Sequence, residues 1–99
     1  MKADYESRAD TIQITLADGD LRLSGGSDVI ENGRVIVSFS ENRAAMIDVI
    51  GTRNGFEEGL RVAAQRNKLD AEALIAICRA ALAAPDRLVR LDVGARIPG

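Results

Sequence analysis

The stretch 27-SDVIENGRVIVSF-39 decides the fold, because it places an alternating apolar run on each side of Asn32-Gly33. Asn-Gly favours a type I′ turn, since both central residues of that turn need a positive φ angle. A third apolar run, 44–50, follows after Glu41-Asn42-Arg43. The pattern predicts an antiparallel meander of three strands.

Alternation divides the apolar side chains of the last two strands between two faces. One face holds Val35, Val37, Phe39, Ala45, Ile47 and Val49, and the other holds Ile36, Met46 and Ile50 beside Ser38 and Asp48. A sheet that meets water on one side ordinarily has a polar outer face. We therefore expect both faces to be covered, and Ile36, Met46 and Ile50 to be contact residues.

Further strands are predicted on either side of the meander. Residues 11–16 alternate strictly and are rich in β-branched side chains, which is typical of a half-buried strand. Residues 21–23 form a possible short strand. Residues 87–93 alternate again, and we expect a final strand there, either at the sheet edge or reaching to a second subunit.

Two helices are predicted between the meander and the final strand. Residues 56–66 carry the apolar stripe Phe56, Leu60, Ala63 and Ala64, which is interrupted by the weak helix former Gly59. Residues 71–84 begin after the potential N-cap Asp70, and Leu69 with Leu74 has the spacing of a hydrophobic staple. Pro85 ends this helix, whose apolar character on all sides predicts burial on more than one side.

These elements predict one α+β domain over residues 1–99. Its mainly antiparallel sheet has four or five strands (5–53), two helices pack on it (54–84), and a last short strand follows (87–93). We expect disorder only at 1–4 and 94–99.

The composition limits the classes of function that the chain can have. The 99 residues are 46% hydrophobic but only 3% aromatic, and the net charge is −2, which counts against binding of nucleic acid or an anionic membrane. A single cysteine and no histidine exclude an internal disulfide, a Cys/His zinc site and histidine-based catalysis. No apolar run approaches the length of a membrane span, and the polar start lacks a signal-peptide core, so we expect a cytoplasmic protein.

Residues 5-YESRADTIQITL-16, followed by Asp18-Gly19, resemble the opening of a small bacterial domain of unknown function, family twenty-two eighty-three. Members typically begin Tyr-Asp-Pro-Glu-Ala-Asp, continue with a strand, a polar turn and a hairpin, and end on Ile-Glu-Ile-Leu. Residues 29–39 resemble that hairpin and 47–50 the closing strand, so the resemblance covers Tyr5 to Arg53. Ser7 replaces the usual proline and Asp48 the usual glutamate.

The resemblance implies a small antiparallel sheet and no catalytic residues. Some relatives are encoded beside small toxin-like proteins, which implies an antitoxin or partner-binding role by association.

Two acidic residues are singled out for structural roles. Asp10 precedes the strand 11–16, where it is placed to hold Tyr5 or a backbone N–H. Asp48 lies in the middle of its strand, and we expect it to pair with Arg34 or Arg43 if that face is buried. The wider acidic set Asp4, Glu6, Asp10, Asp18 and Asp20 does not have calcium-loop spacing and is expected to be a solvated surface.

The remaining candidates have simple interpretations. Ser24-Gly25-Gly26-Ser27 precedes a strand and opens no helix, so it lacks the geometry of a phosphate loop. Cys78 lies within the apolar helix and is expected to be a core residue. Arg87, Arg90 and Arg96 form either a solvated strand face or a small basic edge for an acidic partner.

Three classes of function remain open. The first is a non-catalytic interaction module, a homodimer or the binder of a small protein, with no cofactor or metal. The second is an antitoxin-like or nucleic-acid-binding regulator paired with a small toxin, and the third is an enzyme that uses carboxylates and Tyr5. We favour the first, with Ile36, Met46, Ile50, Arg87 and Arg90 as candidate contact residues.

Overall fold

In the computed structural model, five strands come first along the chain, two helices follow, and a short strand comes after them. The structure describes residues 1–16, 26–31, 33–92 and 94. The strands and helices of these residues are β1 (Lys2–Glu6), β2 (Thr11–Thr15), β3 (Ser27–Ile30), β4 (Val35–Ser40), β5 (Arg43–Ile50), α1 (Glu57–Asn67), α2 (Ala71–Ala83) and β6 (Leu88–Arg90). A short 3-10 helix, Thr52–Asn54, joins β5 to α1. The predicted α+β class is confirmed.

Within the described residues the sheet contains six strands in the order β3-β4-β5-β2-β1-β6, and each neighbouring pair is antiparallel. The predicted meander corresponds to β3, β4 and β5. Gly33 has a φ of 88° at the turn between β3 and β4, while Asn32 and the possible strand 21–23 lie outside the described residues. A register shift at Ser38/Phe39 marks a bulge where β4 approaches the turn into β5.

The start of the chain is a strand, so the predicted disorder of residues 1–4 is wrong. Ala3 and Tyr5 of β1 are buried, and β1 pairs with β2 on one side and β6 on the other. The amino group of Met1 donates to the carbonyl of Leu91, and the N–H of Leu91 donates to the carbonyl of Met1, both at 3.0 Å. Two neighbouring strands therefore fix a segment whose own sequence is too polar to predict a strand.

The last strand lies at the sheet edge within its own chain, which resolves the alternatives left by the sequence. Asp86 positions it: the Ser7 N–H donates to Asp86 Oδ1 at 3.0 Å, and the Ser7 hydroxyl donates to Oδ2 at 2.7 Å. The N–H of Asp86 donates to the carbonyl of Tyr5 at 2.7 Å. A proline at position 7 would have no N–H to donate, so the backbone contact with Asp86 requires a residue other than proline there.

Both helices pack on one face of the sheet, as predicted. The helix-facing side chains of the strands and the buried side chains of α1 and α2 form one core, which is aliphatic apart from Tyr5 and Cys78. The predicted stripe of α1 is confirmed at Leu60, Ala63 and Ala64, while Phe56 is the N-cap residue and packs against the core from its margin. α2 is buried against the sheet and against α1, and its remaining side, which includes Glu72 and Arg79, is exposed.

The start of α2 confirms the predicted cap. Asp70 Oδ1 accepts hydrogen bonds from the N–H groups of Glu72 and Ala73 at 3.1 and 3.2 Å. Leu69 and Leu74, the predicted staple, are both buried in the core. These contacts satisfy backbone donors that the first helical turn leaves without partners.

Replacing the cap tests its contribution. We expect Asp70→Ala to lower the free energy of unfolding by about 1 kcal/mol, because two backbone donors lose their acceptor. Asp70→Asn retains an acceptor at the same place and is the matched control. Urea unfolding followed by circular dichroism measures both variants, and an Asp70→Ala variant as stable as the wild type would contradict the role of the cap.

Candidate functional site

The sheet has one face against the helices and a second face, called here the open face. Cross-strand register aligns one row of its side chains as Val29, Ile36, Asp48, Gln13, Asp4 and Leu88, and the next row as Ser27, Ser38, Met46, Thr15, Lys2 and Arg90. Each of these side chains is exposed or half-buried. No helix or strand of the described residues covers the open face.

The apolar part of this face is the open-face patch, formed by Val29, Ile36, Met46 and Ile50 of β3, β4 and β5. Val29 is 52% exposed and Ile50 is 40% exposed, while Ile36 and Met46 are half-buried. The structure thus brings together the three apolar residues predicted from the sequence, Ile36, Met46 and Ile50. Val29 was missed, although its alternation with the core residue Ile30 is a signal that could have identified it.

Asp48 lies in the middle of the open-face patch. Ile36 is directly opposite on β4 and Gln13 is opposite on β2, while Met46 and Ile50 are two residues away along β5 on the same face. The carboxylate of Asp48 has no ion pair or hydrogen bond within the described part of the chain.

The pairing of Asp48 with Arg34 or Arg43, which was expected if this face were buried, does not occur. The Arg34 guanidinium instead donates to the carbonyls of Gly51 and Gly55, at 3.4 and 3.1 Å. Because the open face leaves Asp48 accessible to water, its carboxylate is hydrated and does not require a cation in this state.

The predicted arginines do not join the patch. Arg90 lies on the open face but on the edge strand β6, three strands from β5, and Arg87 lies in the turn before β6. Arg96 lies outside the described residues. The open face carries Lys2, Arg43 and Arg90 against Asp4, Glu6 and Asp48, so its described residues have no excess of positive charge for a polyanion.

Asp10 forms a second cluster, at the turn between β1 and β2. Its Oδ1 accepts hydrogen bonds from the Tyr5 hydroxyl at 2.8 Å and from the Thr52 hydroxyl, and its Oδ2 accepts from the Arg53 N–H at 3.1 Å. The predicted contacts of Asp10 with Tyr5 and with a backbone N–H are confirmed.

This cluster keeps the Asp10 carboxylate ionised. The hydrogen bond from the Thr52 hydroxyl is the largest cause of a pKa below the ordinary value, and the donors Arg53 N–H and Tyr5 hydroxyl act in the same direction against partial burial. A carboxylate with three donors and a lowered pKa is suited to fastening the 3-10 helix to β1, and it is poorly suited to proton transfer near neutral pH.

The rest of the acidic set is dispersed. Asp4 and Glu6 lie on the open face of β1, while Asp18 and Asp20 lie outside the described residues. Among the described residues, no group of three or more His, Cys, Asp or Glu side chains is placed to hold a metal ion.

Cys78 is a core residue, as predicted. Its side chain is fully buried on α2, and burial raises the pKa of its thiol to about 12. Since the thiolate is the nucleophilic form of cysteine, this side chain is inert near neutral pH.

A cleft that the sequence analysis missed lies where β5 leads into α1. It has a volume of about 760 Å³ and is lined by Glu31, Arg34, Thr52, Arg53, Asn54, Gly55, Phe56, Glu57 and Glu58. Its two arginines face three glutamates, and Arg34 and Glu57 are already engaged, the latter with Arg79 at 3.1 Å. The cleft therefore has no dominant charge, and the glycines that flank the 3-10 helix were the only local signal for it.

The stretch Ser24-Gly25-Gly26-Ser27 is predicted not to form a phosphate loop, because it precedes a strand. Gly26 leads directly into β3, as expected, and Ser24 and Gly25 lie outside the described residues.

Comparison of the chain with protein-family models, with curated proteins and with solved structures finds no match. The resemblance of residues 5–53 to family twenty-two eighty-three accordingly stays a prediction. Among the described residues, no helix has the length and apolar character needed to cross a membrane.

Proposed function

We propose that the chain is a non-catalytic protein-interaction module and that the open-face patch is its binding surface. The observation that carries the proposal is the grouping of Val29, Ile36, Met46 and Ile50 on a face that no described element covers. Burial of an exposed aliphatic side chain contributes roughly 1.5–3 kcal/mol. Contiguous apolar side chains that remain exposed in a folded chain often mark binding sites for other proteins.

The state of the side chains that ordinarily carry catalysis supports a non-catalytic role. The chain has no histidine, Cys78 is buried with a raised thiol pKa, and the Asp10 carboxylate is engaged by three donors. The mixed charge of the open face favours a protein partner over a nucleic acid.

Substitution within the patch tests the proposal. The variant Ile36→Thr with Ile50→Thr, called here the double-threonine variant, keeps β-branched side chains and removes apolar contact area. We expect it to weaken binding of a second copy or of another protein by about tenfold or more, because apolar anchors at the centre of an interface carry much of its energy. The molar mass in solution measures binding of a second copy, and quantitative co-purification from cells measures binding of other proteins.

Val62→Thr is the control, since Val62 is also an exposed β-branched aliphatic residue, at 37%, but lies on α1 away from the open face. It should leave binding unchanged, and circular dichroism should show both variants folded. A wild-type chain that is monomeric at all concentrations, and whose partners are retained equally by the double-threonine variant, would contradict the proposal. A concentration-dependent dimer lost in that variant would support the homodimer that the sequence predicts.

A further inference from the structure

The position of Asp48 limits the chemistry of whatever covers the open-face patch. Its carboxylate has apolar neighbours on three sides, namely Ile36 across the strand pair and Met46 and Ile50 along β5. In the uncovered chain water solvates this charge. When a partner covers the patch that water is lost, and an unpaired buried carboxylate is strongly unfavourable. The partner must therefore supply hydrogen-bond donors at this point, and a cationic donor also neutralises the charge and makes the stronger hydrogen bond.

Resting on the proposed function, we infer that the partner binds through an amphipathic helix whose apolar stripe covers the patch and whose lysine or arginine pairs with Asp48. The dimensions of the patch fit a helix. From β3 to β5 the patch is about 10 Å wide, since adjacent strands lie about 4.8 Å apart. From Met46 to Ile50 it is about 13 Å long, or roughly nine residues of helix. A helix about 10 Å across thus covers the patch with side chains spaced at i, i+4 and i+7.

A second copy of the chain fits this patch less well than a basic helix. If two copies pair through their patches about a two-fold axis at the patch centre, the two Asp48 carboxylates lie close to each other. Two negative charges close together repel. Of the cations that the register places on the same face, Lys2 and Arg90 lie two and three strands away from β5, about 10 and 14 Å in a flat sheet. Arg43 lies on β5 but five residues from Asp48, roughly 15 Å along the strand. The net charge of the whole chain, −2, also favours a basic partner over a copy of itself.

A display library of amphipathic helical peptides with a randomised residue in the middle of the apolar stripe tests the inference. We expect selection on the wild-type chain to enrich lysine or arginine at the randomised position. Replacing that residue by leucine in a selected peptide should weaken binding to the wild type by about tenfold or more, since tenfold corresponds to the low end of the energies of buried charge pairs. The same replacement should have little effect on binding to Asp48→Asn.

A charge exchange makes the test specific. Asp48→Lys should reject the lysine peptide and bind the matching glutamate peptide, because the two opposite charges are restored in exchanged positions. Peptides that bind the patch without preference for a cation, and equally to Asp48→Asn, would overturn the inference while the proposed function stands. A wild-type dimer lost in the double-threonine variant would also overturn it, since a second copy would then be the occupant. If no selected peptide binds the double-threonine variant more weakly than the wild type, the inference is contradicted. If cellular partners are also retained equally by that variant, the proposed function is contradicted too.

Discussion

A Gly59→Ala variant is expected to be less stable than the wild type by about 1–2 kcal/mol, although alanine is the better helix former by about 1 kcal/mol. A Cβ built at Gly59 lies 2.8 Å from Val35 Cγ2 and 3.2 Å from Glu31 Oε2. The Glu31 side chain can move aside. Val35 cannot, because it is buried in the core on β4 and its branched side chain has little rotational freedom. The first turn of α1 must therefore move away from the sheet and loosen the core beneath it.

Urea unfolding of the variant, with a rescue experiment, tests this close approach. Removing the opposing methyl groups with Val35→Ala is destabilising alone, but it should cost less in the Gly59→Ala background, because the added Cβ then occupies part of the vacated space. Gly26→Ala is a control for the glycine-to-alanine change, since a Cβ at Gly26 has no neighbour within 4 Å. A Gly59→Ala variant more stable than the wild type would show that helix propensity outweighs packing at this position.

Gly59 illustrates which parts of the fold are readable from sequence. Local patterns are sufficient for the β3–β4 hairpin, for the apolar stripe of α1 and for the Asp70 cap, because each depends on residues close together in the chain. The sequence alone marks Gly59 only as a weak helix former. The need for a glycine at this position comes from Val35, which lies on another element and comes into contact only when the chain folds.

The strand β1 was missed for the same reason. Lys2 to Glu6 alternates, but its buried members are Ala3 and Tyr5, and the small alanine gives a weak apolar signal. Pairing with β2 and β6 stabilises this segment, and β6 lies more than 80 residues further along the chain. Predictions from local pattern do not include such distant pairing, so the polar segment was assigned to a disordered start.

The candidate site was predicted in part. Strand alternation correctly grouped Ile36, Met46 and Ile50 on one face, because a period of two follows from strand geometry. It could not show whether a helix of the same chain would cover that face, and the expected pairing of Asp48 with an arginine followed from assuming that the face is buried. In the structure both helices lie on the other face, so Asp48 is accessible to water. The Arg34 guanidinium donates to two backbone carbonyls instead.

Among the carboxylates that the structure describes, Asp10 is expected to give the most destabilising isosteric substitution, Asp10→Asn. Asn tolerates the positive φ of 50° at this position, so the backbone need not change. The amide retains one acceptor oxygen, but its NH₂ group replaces an oxygen that now accepts a hydrogen bond. A donor on Thr52, Arg53 or Tyr5 is then left without its acceptor. Tyr5 and Thr52 are buried, and a buried donor without a partner costs more than the hydrogen bond contributes. We expect a larger fall in Tm than for Asp70→Ala, and Asp4→Asn, which loses no carboxylate hydrogen bond of the described residues, is the isosteric control.

The dependence of this difference on pH identifies its cause. Because the pKa of Asp10 is lower in the folded chain than its ordinary value of 3.8, the ionised group stabilises the fold above that value. The contribution is lost as the pH falls through the folded pKa. The Asp86 carboxyl acts with the same sign, since hydrogen bonds from the Ser7 N–H and hydroxyl lower its pKa. Wild-type Tm should therefore fall in acid, and the gap between wild type and Asp10→Asn should narrow, whereas a gap of constant size down to strongly acidic pH would show that the charge of Asp10 contributes nothing.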